Sequence, residues 1–314
     1  MSPSHGMAAP NLTGEEAPIS KKEMQENTGM SHVMDEFRVF FGVKEMPFSL
    51  VPNTQYYVAL PSHHECFNLL MFAIASGDGF IKVTGEVGTG KTLLCRRLLN
   101  ALDEGQYYSA YLPNPRLNPV ELKRAVAKEL QVPELGWVSD QNLLDEINKR
   151  LIELAHEDKK VVLVIDEAQA LPEDSIEELR LLTNLETETS KLMQIVMFGQ
   201  PELDEIIAQH QFRQLRQRIT FSHVLDRLTR SGVGQYIHHR MTVAGYNGAP
   251  IFEKAAVSLL HKATEGTPRL INIVSGKALL IAFSKGQKTV KKAMVKAALN
   301  DTEGVNKQTG WIFG

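Results

Sequence analysis

The sequence predicts an α/β protein: a five-stranded parallel sheet with helices on both faces, followed by an all-helical lid unit. Three observations predict it. Residues 85–92 read Gly-Glu-Val-Gly-Thr-Gly-Lys-Thr, a G-x-x-x-x-G-K-T phosphate loop, set between the apolar run Phe80 to Thr84 and the helix-like run Leu93 to Leu102. Further apolar runs alternate with helical patterns, which argues for parallel strands joined by crossover helices. From about Asp226 onward the strand patterns stop and only helical ones remain.

The chain has 314 residues, room for about two domains. Residues 1–34 are rich in Ser, Pro, Gly, Glu, Lys and Asn and poor in apolar residues, and are expected to be a disordered tail. The nucleotide-binding α/β core is placed at 35–225. It opens on a packed, irregular lead-in holding Phe37, Phe40, Phe41, Phe48, Tyr56 and Tyr57 between Pro47, Pro52 and Pro61. A helix from Ser62 to about Ser76 ends at Gly77 and Gly79. After the phosphate loop, Tyr107 to Leu112 reads as the second strand. Asn118, Pro119 and Glu121 supply a cap, a first-turn proline and a capping-box acid for a helix to Leu130. Ser139 or Asp140 starts another helix, to about His156. Val161 to Ile165 is the third strand, apolar without a break and so expected to be buried on both faces. Asp174 and Glu177 are expected to cap a helix carrying Ile176, Leu179, Leu182 and Leu185 on one side. Gln194 to Phe198 and Ile219 to Val224 are the fourth and fifth strands. The lid unit, 226–302, divides into helices at 229–244, 252–264, 268–284 and 289–299, and 303–314 is a C-terminal tail.

Composition excludes several classes. The chain is 43% hydrophobic and 23% charged, ordinary values for a soluble globular protein. A net charge of −3 gives no global electrostatic case for a nucleic-acid partner. Two cysteines, Cys66 and Cys95, make neither a disulfide framework nor a metal cluster, and fit a reducing cytoplasm. No membrane span is expected, because Val161 to Ile165 is a strand and the N-terminus lacks an apolar signal region.

The chemistry starts at the phosphate loop. Gly85, Glu86, Val87, Gly88, Thr89, Gly90, Lys91, Thr92 and the following Leu93 form a strand–turn–helix junction whose backbone N–H groups make a nest for phosphate. Lys91 is expected to reach the β- and γ-phosphates, and Thr92 to place its hydroxyl on Mg²⁺. The third strand ends in Asp166-Glu167. An acid at the carboxyl end of a parallel strand points into the ligand crevice. Asp166 is assigned to Mg²⁺ with Thr92, and Glu167 to the attacking water. His63-His64-Glu65-Cys66 has no second cluster at ligand spacing and is not read as a metal site. His238-His239-Arg240 is read as surface. Lys285, Lys288, Lys291, Lys292 and Lys296 are read as a solvated basic face.

Taken together, the phosphate loop and the acid-ended strand resemble the AAA+ ATPases. That resemblance implies ATP and Mg²⁺ as ligands, ATP hydrolysis as the activity and a homo-oligomer as the assembly. It implies a γ-phosphate sensor at the end of the fourth strand, here Gln200, where Asn, Ser or Thr is usual. It places a trans-acting arginine finger before the fifth strand, with Arg218 the best match, then Arg216 and Arg213. Gly266-Thr267-Pro268-Arg269 is similar to the second sensor, with Arg269 reaching from the lid. Over residues 37 to about 302 the chain further resembles the secretion ATPases that include ExeA and GspA. This likeness runs through Phe40 to Val43, Met46-Pro47-Phe48, Tyr111 to Pro115, Leu179 to Glu186, Phe198 to Leu203, Ala244-Gly245-Tyr246 and Pro268 to Asn272. Asn53 stands where that family usually has Asp. Members that act in secretin assembly continue into a membrane span and a peptidoglycan-binding domain. This chain ends at Gly314, a shape similar to the ATPases of the MSHA pilus. The resemblance implies an assembly factor for a type IV pilus or secretion machine, cytoplasmic and held at the inner membrane by a pilus or secretion assembly protein. The other reading is a nucleotide-gated DNA-binding regulator, similar to the transposition ATPases.

Overall fold

The computed structural model describes residues 32–133, 142–185 and 191–306. Residues 32–41 form a helix, α1. The α/β unit then runs α2 (Pro61–Ser76), β1 (Phe80–Thr84), α3 (Lys91–Ala101), β2 (Tyr107–Leu112), α4 (Pro119–Glu129), α5 (Leu143–His156), β3 (Lys160–Ile165), α6 (Glu173–Leu182), β4 (Met193–Gly199), α7 (Glu202–Ala208), α8 (Arg213–Arg216) and β5 (Ile219–Val224). The helical unit is α9 (Arg230–Val243), α10 (Lys254–Thr264), α11 (Pro268–Ser284) and α12 (Lys292–Asn300). The expected start of α5 at Ser139 or Asp140 lies outside the described residues.

The five strands are parallel, in the order β2-β3-β4-β1-β5. Parallel register brings every carboxyl end to the same edge of the sheet. β3 is buried on both faces, as its apolar run predicts. Val161, Leu163 and Ile165 face a core completed by α4, α5 and α6, while Val162 and Val164 face one completed by α2 and α3. β5 is one of the two edge strands, and its residues alternate between half-buried and exposed.

Local sequence explains the ends of the elements. The Asn118 side chain accepts the N–H groups of Val120 and Glu121, and Glu121 accepts that of Asn118, closing the capping box that starts α4. At α6 the expectation needs correcting. Pro172 precedes the helix without a side-chain cap, Asp174 sits inside the first turn, and Glu177 contacts Arg180 at 2.5 Å. Asp174 complements the helix dipole there rather than capping it.

The ends of the chain also differ from expectation. Residues 32–34 belong to α1, not to a tail. Phe37, Phe41, Val43 and Phe48 of the lead-in pack in the core of α9–α12, not against the sheet. Phe283 of α11 meets both Phe37 and Phe40, with ring centroids 5.6 and 5.4 Å apart. Four short helices bury little apolar surface by themselves, and an aromatic lead-in enlarges their core. Likewise Asn306, in the expected C-terminal tail, donates its N–H to the carbonyl of Ala263.

Candidate nucleotide site

The loop after β1 runs into the N-terminus of α3. Gly88 and Gly90 take φ of +81° and +104°, left-handed values that a β-carbon disfavours. Space is also closed at Gly88, where a Cβ would lie 2.8 Å from Cβ of Arg269. Unpaired N–H groups at the start of α3, with the helix dipole behind them, favour an anion. Lys91 is 5% exposed, and its Nζ donates to the carbonyls of Gly85 at 2.6 Å and Glu86 at 2.9 Å. Burial lowers its pKa, against the pull of Glu167, Asp166, Glu86 and Glu202. Among the described residues its hydrogen bonds go to neutral carbonyls, so phosphate oxygens would give it a directly bonded charged partner.

Asp166 leaves β3 and is 3% exposed. It accepts the N–H of Glu167 at 3.0 Å and a hydrogen bond from the Thr92 hydroxyl. Burial raises its pKa. The hydrogen bonds and Lys91 oppose that rise, and the charge of Glu167 adds to it. The donor set fits Mg²⁺, a hard cation that takes one or two protein oxygens and completes its shell with phosphate and water. Glu167 adopts a left-handed backbone, φ +54° and ψ +39°. Its Oε2 accepts Gln169 Nε2 at 2.6 Å and Gln200 Nε2 at 3.1 Å. Gln169 is absent from the sequence reading. The signal available for it was its place in the turn two residues past Glu167.

A cavity of about 220 Å³ adjoins the loop and is lined by Lys91, Thr92, Glu167, Gln200 and Arg269. The structure therefore brings together residues from β1–α3, β3, β4 and the lid. Arg269 donates its backbone N–H to the carbonyl of Gly88 at 3.2 Å, so the lid touches the phosphate loop directly. Its guanidinium makes no hydrogen bond among the described residues and is free to turn toward a phosphate.

The cavity's other end was not legible. Lead-in residues Val51 to Asn53 and Tyr56 to Val58 form one wall, and Tyr236, Arg240 and Asn272 of the lid another. Arg240, read from sequence as surface, is 5% exposed. Its Nε donates to the carbonyl of Pro47 at 2.5 Å, Nη2 to that of Ser49 at 3.0 Å and Nη1 to the Tyr236 hydroxyl at 3.1 Å. The guanidinium lies 4.4 Å from the Tyr56 ring centroid. Tyr236 in turn donates to Asn272 Oδ1 at 3.0 Å.

Two arginines change places. Arg218 is half-buried, and its Nη1 donates to the Arg180 carbonyl at 2.9 Å and Thr183 Oγ1 at 3.1 Å. Through that one nitrogen it satisfies the C-terminus of α6 in its own chain. Arg216 is engaged with carbonyls at the end of α7, among them Ile207 at 3.1 Å. Arg213 is exposed and makes no hydrogen bond among the described residues.

Comparison with known proteins agrees with this geometry. The family described as AAA domain matches residues 74–207. The chain is 38% identical over 275 residues to General secretion pathway protein A of Aeromonas hydrophila, covering 88% of this chain and 50% of that protein. The chain is a GspA-like AAA protein. It spans about half the length of that relative. Among solved structures, Cdc6p from Pyrobaculum aerophilum aligns with a TM-score of 0.64 at 17% identity, over 85% of this chain and 74% of that one. The Aeropyrum pernix ORC2 protein aligns at 0.61 with 15% identity, over 83% and 72%. The Thermotoga maritima RuvB motor aligns at 0.51 with 18% identity, over 76% and 68%. At these identities the likeness is one of fold alone.

Proposed function

We propose that this chain binds Mg·ATP, hydrolyses it slowly, and uses the cycle as an assembly factor for a type IV pilus of the MSHA kind or a related secretion machine. The observation that carries the reading is the convergence of Lys91, Thr92, Asp166, Glu167 and Gln200 at one edge of the sheet, beside a single cavity. In this reading the phosphate loop and Lys91 hold the phosphates, and Thr92 and Asp166 hold Mg²⁺, which supplies charge neutralisation. Glu167 orients the water and accepts its proton. Gln200 and Arg269 face the γ-phosphate from the sheet and the lid. The likeness to General secretion pathway protein A supports the secretion role.

Self-association belongs to the same proposal, with Arg213 as the guanidinium offered in trans. Such a finger is worth about 10³ to 10⁵ in rate. Among the described residues no helix is long and apolar enough to cross a membrane. Attachment at the inner membrane, on its cytoplasmic side, is assigned to a partner protein. The exposed Lys285, Lys288, Lys291, Lys292 and Lys296 are an auxiliary contact.

Steady-state hydrolysis and nucleotide binding test the reading. Lys91→Ala is expected to lose Mg·ATP binding. Glu167→Gln is expected to bind ATP and barely turn it over, because the phosphate and metal contacts survive. Mixing Arg213→Ala with Lys91→Ala subunits is expected to restore part of the activity. Equal turnover by wild type and Glu167→Gln refutes hydrolysis at this site. Strong stimulation by DNA would move the protein to the DNA-regulator class.

A further inference from the structure

We infer that Gln169 is a positioning residue that ties Glu167 to Gln200, so that the water-orienting acid and the γ-phosphate-facing amide act as one unit. The inference rests on the hydrolysis reading of the site. Its basis is a closed ring of three hydrogen bonds. Gln169 Nε2 donates to Glu167 Oε2 at 2.6 Å, the backbone N–H of Gln200 donates to Gln169 Oε1 at 3.0 Å, and Gln200 Nε2 donates to Glu167 Oε2 at 3.1 Å.

The orientation of the Gln169 amide follows from its partners. The Gln200 backbone N–H only donates, so it must meet the amide oxygen. A carboxylate only accepts, so it must meet the amide nitrogen. Both polar atoms of one side chain are thus committed, one to the exit of β3 and the other to the exit of β4. β3 and β4 are neighbours in the sheet, so the bridge is short and is anchored at both ends on strands. Gly199 lies beside the bridge, and what keeps a side chain out there is Leu203 rather than Gln169. A Cβ there would lie 3.4 Å from Gln169 Oε1 and 2.7 Å from Leu203 Cδ2.

The ring has a consequence for turnover. Gln200 has one side-chain amide, and here its nitrogen is given to Glu167. That nitrogen carries two N–H donors, so one stays on the carboxylate while the other turns to a γ-phosphate. Gln169, which reaches Gln200 through the backbone rather than the side chain, keeps its hold on Glu167 throughout. The carboxylate therefore stays aimed while the sensor moves. This matters because Glu167 sits on a left-handed backbone, a strained conformation that persists only where surrounding contacts hold it, and these hydrogen bonds are among those contacts.

Three variants separate the contacts. Gln169→Glu keeps an acceptor for the Gln200 N–H and replaces the donor to Glu167 with a like charge. Gln169→Asn keeps the chemistry on a shorter arm. Gln169→Ala removes both bonds. Loss of one hydrogen bond to a charged group predicts a fall in kcat of about 10- to 100-fold for Gln169→Ala and Gln169→Glu. ATP affinity and melting temperature should stay at wild-type values, and Gln169→Asn should recover part of the rate. Combining Gln169→Ala with Gln200→Ala should cost less than the sum of the two, because both act through the same carboxylate. Wild-type kcat in Gln169→Ala, or a loss shared equally by affinity and melting temperature, overturns the positioning role. A wild type that turns over no ATP, or turns it over as fast as Glu167→Gln, overturns the hydrolysis reading and this role with it.

Discussion

The two ends of the nucleotide cavity are built in opposite ways. The phosphate end is one continuous stretch, Gly85 to Thr92, between a strand and the helix it feeds, and most of its groups are backbone N–H. The far end is assembled from segments nearly two hundred residues apart. Arg240 of α9 is bonded to the carbonyls of Pro47 and Ser49 and lies over Tyr56. A local device depends on glycines and on where a helix starts, so a short motif specifies it. An assembled wall depends on side chains that meet only after the chain has folded, and no spacing records it. Substitutions at the phosphate end should therefore act on binding and turnover, and those at the far end on the attachment of lead-in to lid.

The largest expected effect is at Gly88. Alanine there places a β-carbon in left-handed backbone and 2.8 Å from Arg269 Cβ. Strain and overpacking together should weaken Mg·ATP binding by about 2–4 kcal/mol. Titration calorimetry on the folded variant reads this directly. Affinity within twofold of wild type would mean that the loop does not close against the lid as it does here.

The same contrast accounts for what the sequence revealed. The strands were legible because β1, β3 and β4 are mostly buried on both faces; Val161–Ile165 is apolar throughout, and Lys82 in β1 and Gln194 in β4 are the polar interruptions. The start of α4 was legible because a capping box is local. Lys91, Thr92, Asp166 and Glu167 were legible because each lies at a strand exit or a helix start. The place of the lead-in was not. Phe37, Phe41 and Phe48 are apolar with no period that names a partner, and they pack against α9–α12, encoded two hundred residues later. Arg240 misled for a related reason. An arginine following two histidines reads as surface, and its burial is made possible by carbonyl acceptors from the lead-in. Arg218 matched by position, yet a guanidinium's direction is set by the acceptors around it, here the end of α6.

Arg240→Met sharpens the comparison at the far end. The stem keeps its volume, three hydrogen bonds go, and the buried Pro47 loses the donor to its carbonyl. The expected cost is about 2 kcal/mol in urea unfolding. Looser attachment of the wall should also raise the Kd for Mg·ATP by about tenfold. Saturating ATP should restore normal kcat, since no group at the phosphate end has changed. A kcat defect that persists at saturation would show that the two ends are not separable and would break the comparison.

The smallest effect is expected where the ends meet, at His63. This side chain comes from α2, lines the cavity, and donates Nε2–H to the Thr89 carbonyl at 2.9 Å. Its Nδ1 is buried with no hydrogen-bond partner among the described residues. A second proton would need an acceptor that is missing there. Burial accordingly pushes its pKa below the ordinary value, and His223 adds to the fall while the Thr89 carbonyl opposes it. Because the folded state takes its proton at lower pH than the unfolded state, the unfolded chain binds more protons between the two pKa values. Stability is then full above about pH 6.5 and falls as the pH drops through the folded value, by at most about 1.4 kcal/mol per pH unit. His239, whose pKa is also lowered by burial, adds a background of the same sign. His63→Gln keeps an N–H for Thr89 and cannot titrate, so the difference between variant and wild type isolates His63. Urea unfolding at pH 7.5 and 5.5 should show the variant losing less stability than wild type on acidification. Equal losses would mean that the ring accepts its proton without cost and that the loop rests on α2 less firmly than this geometry requires.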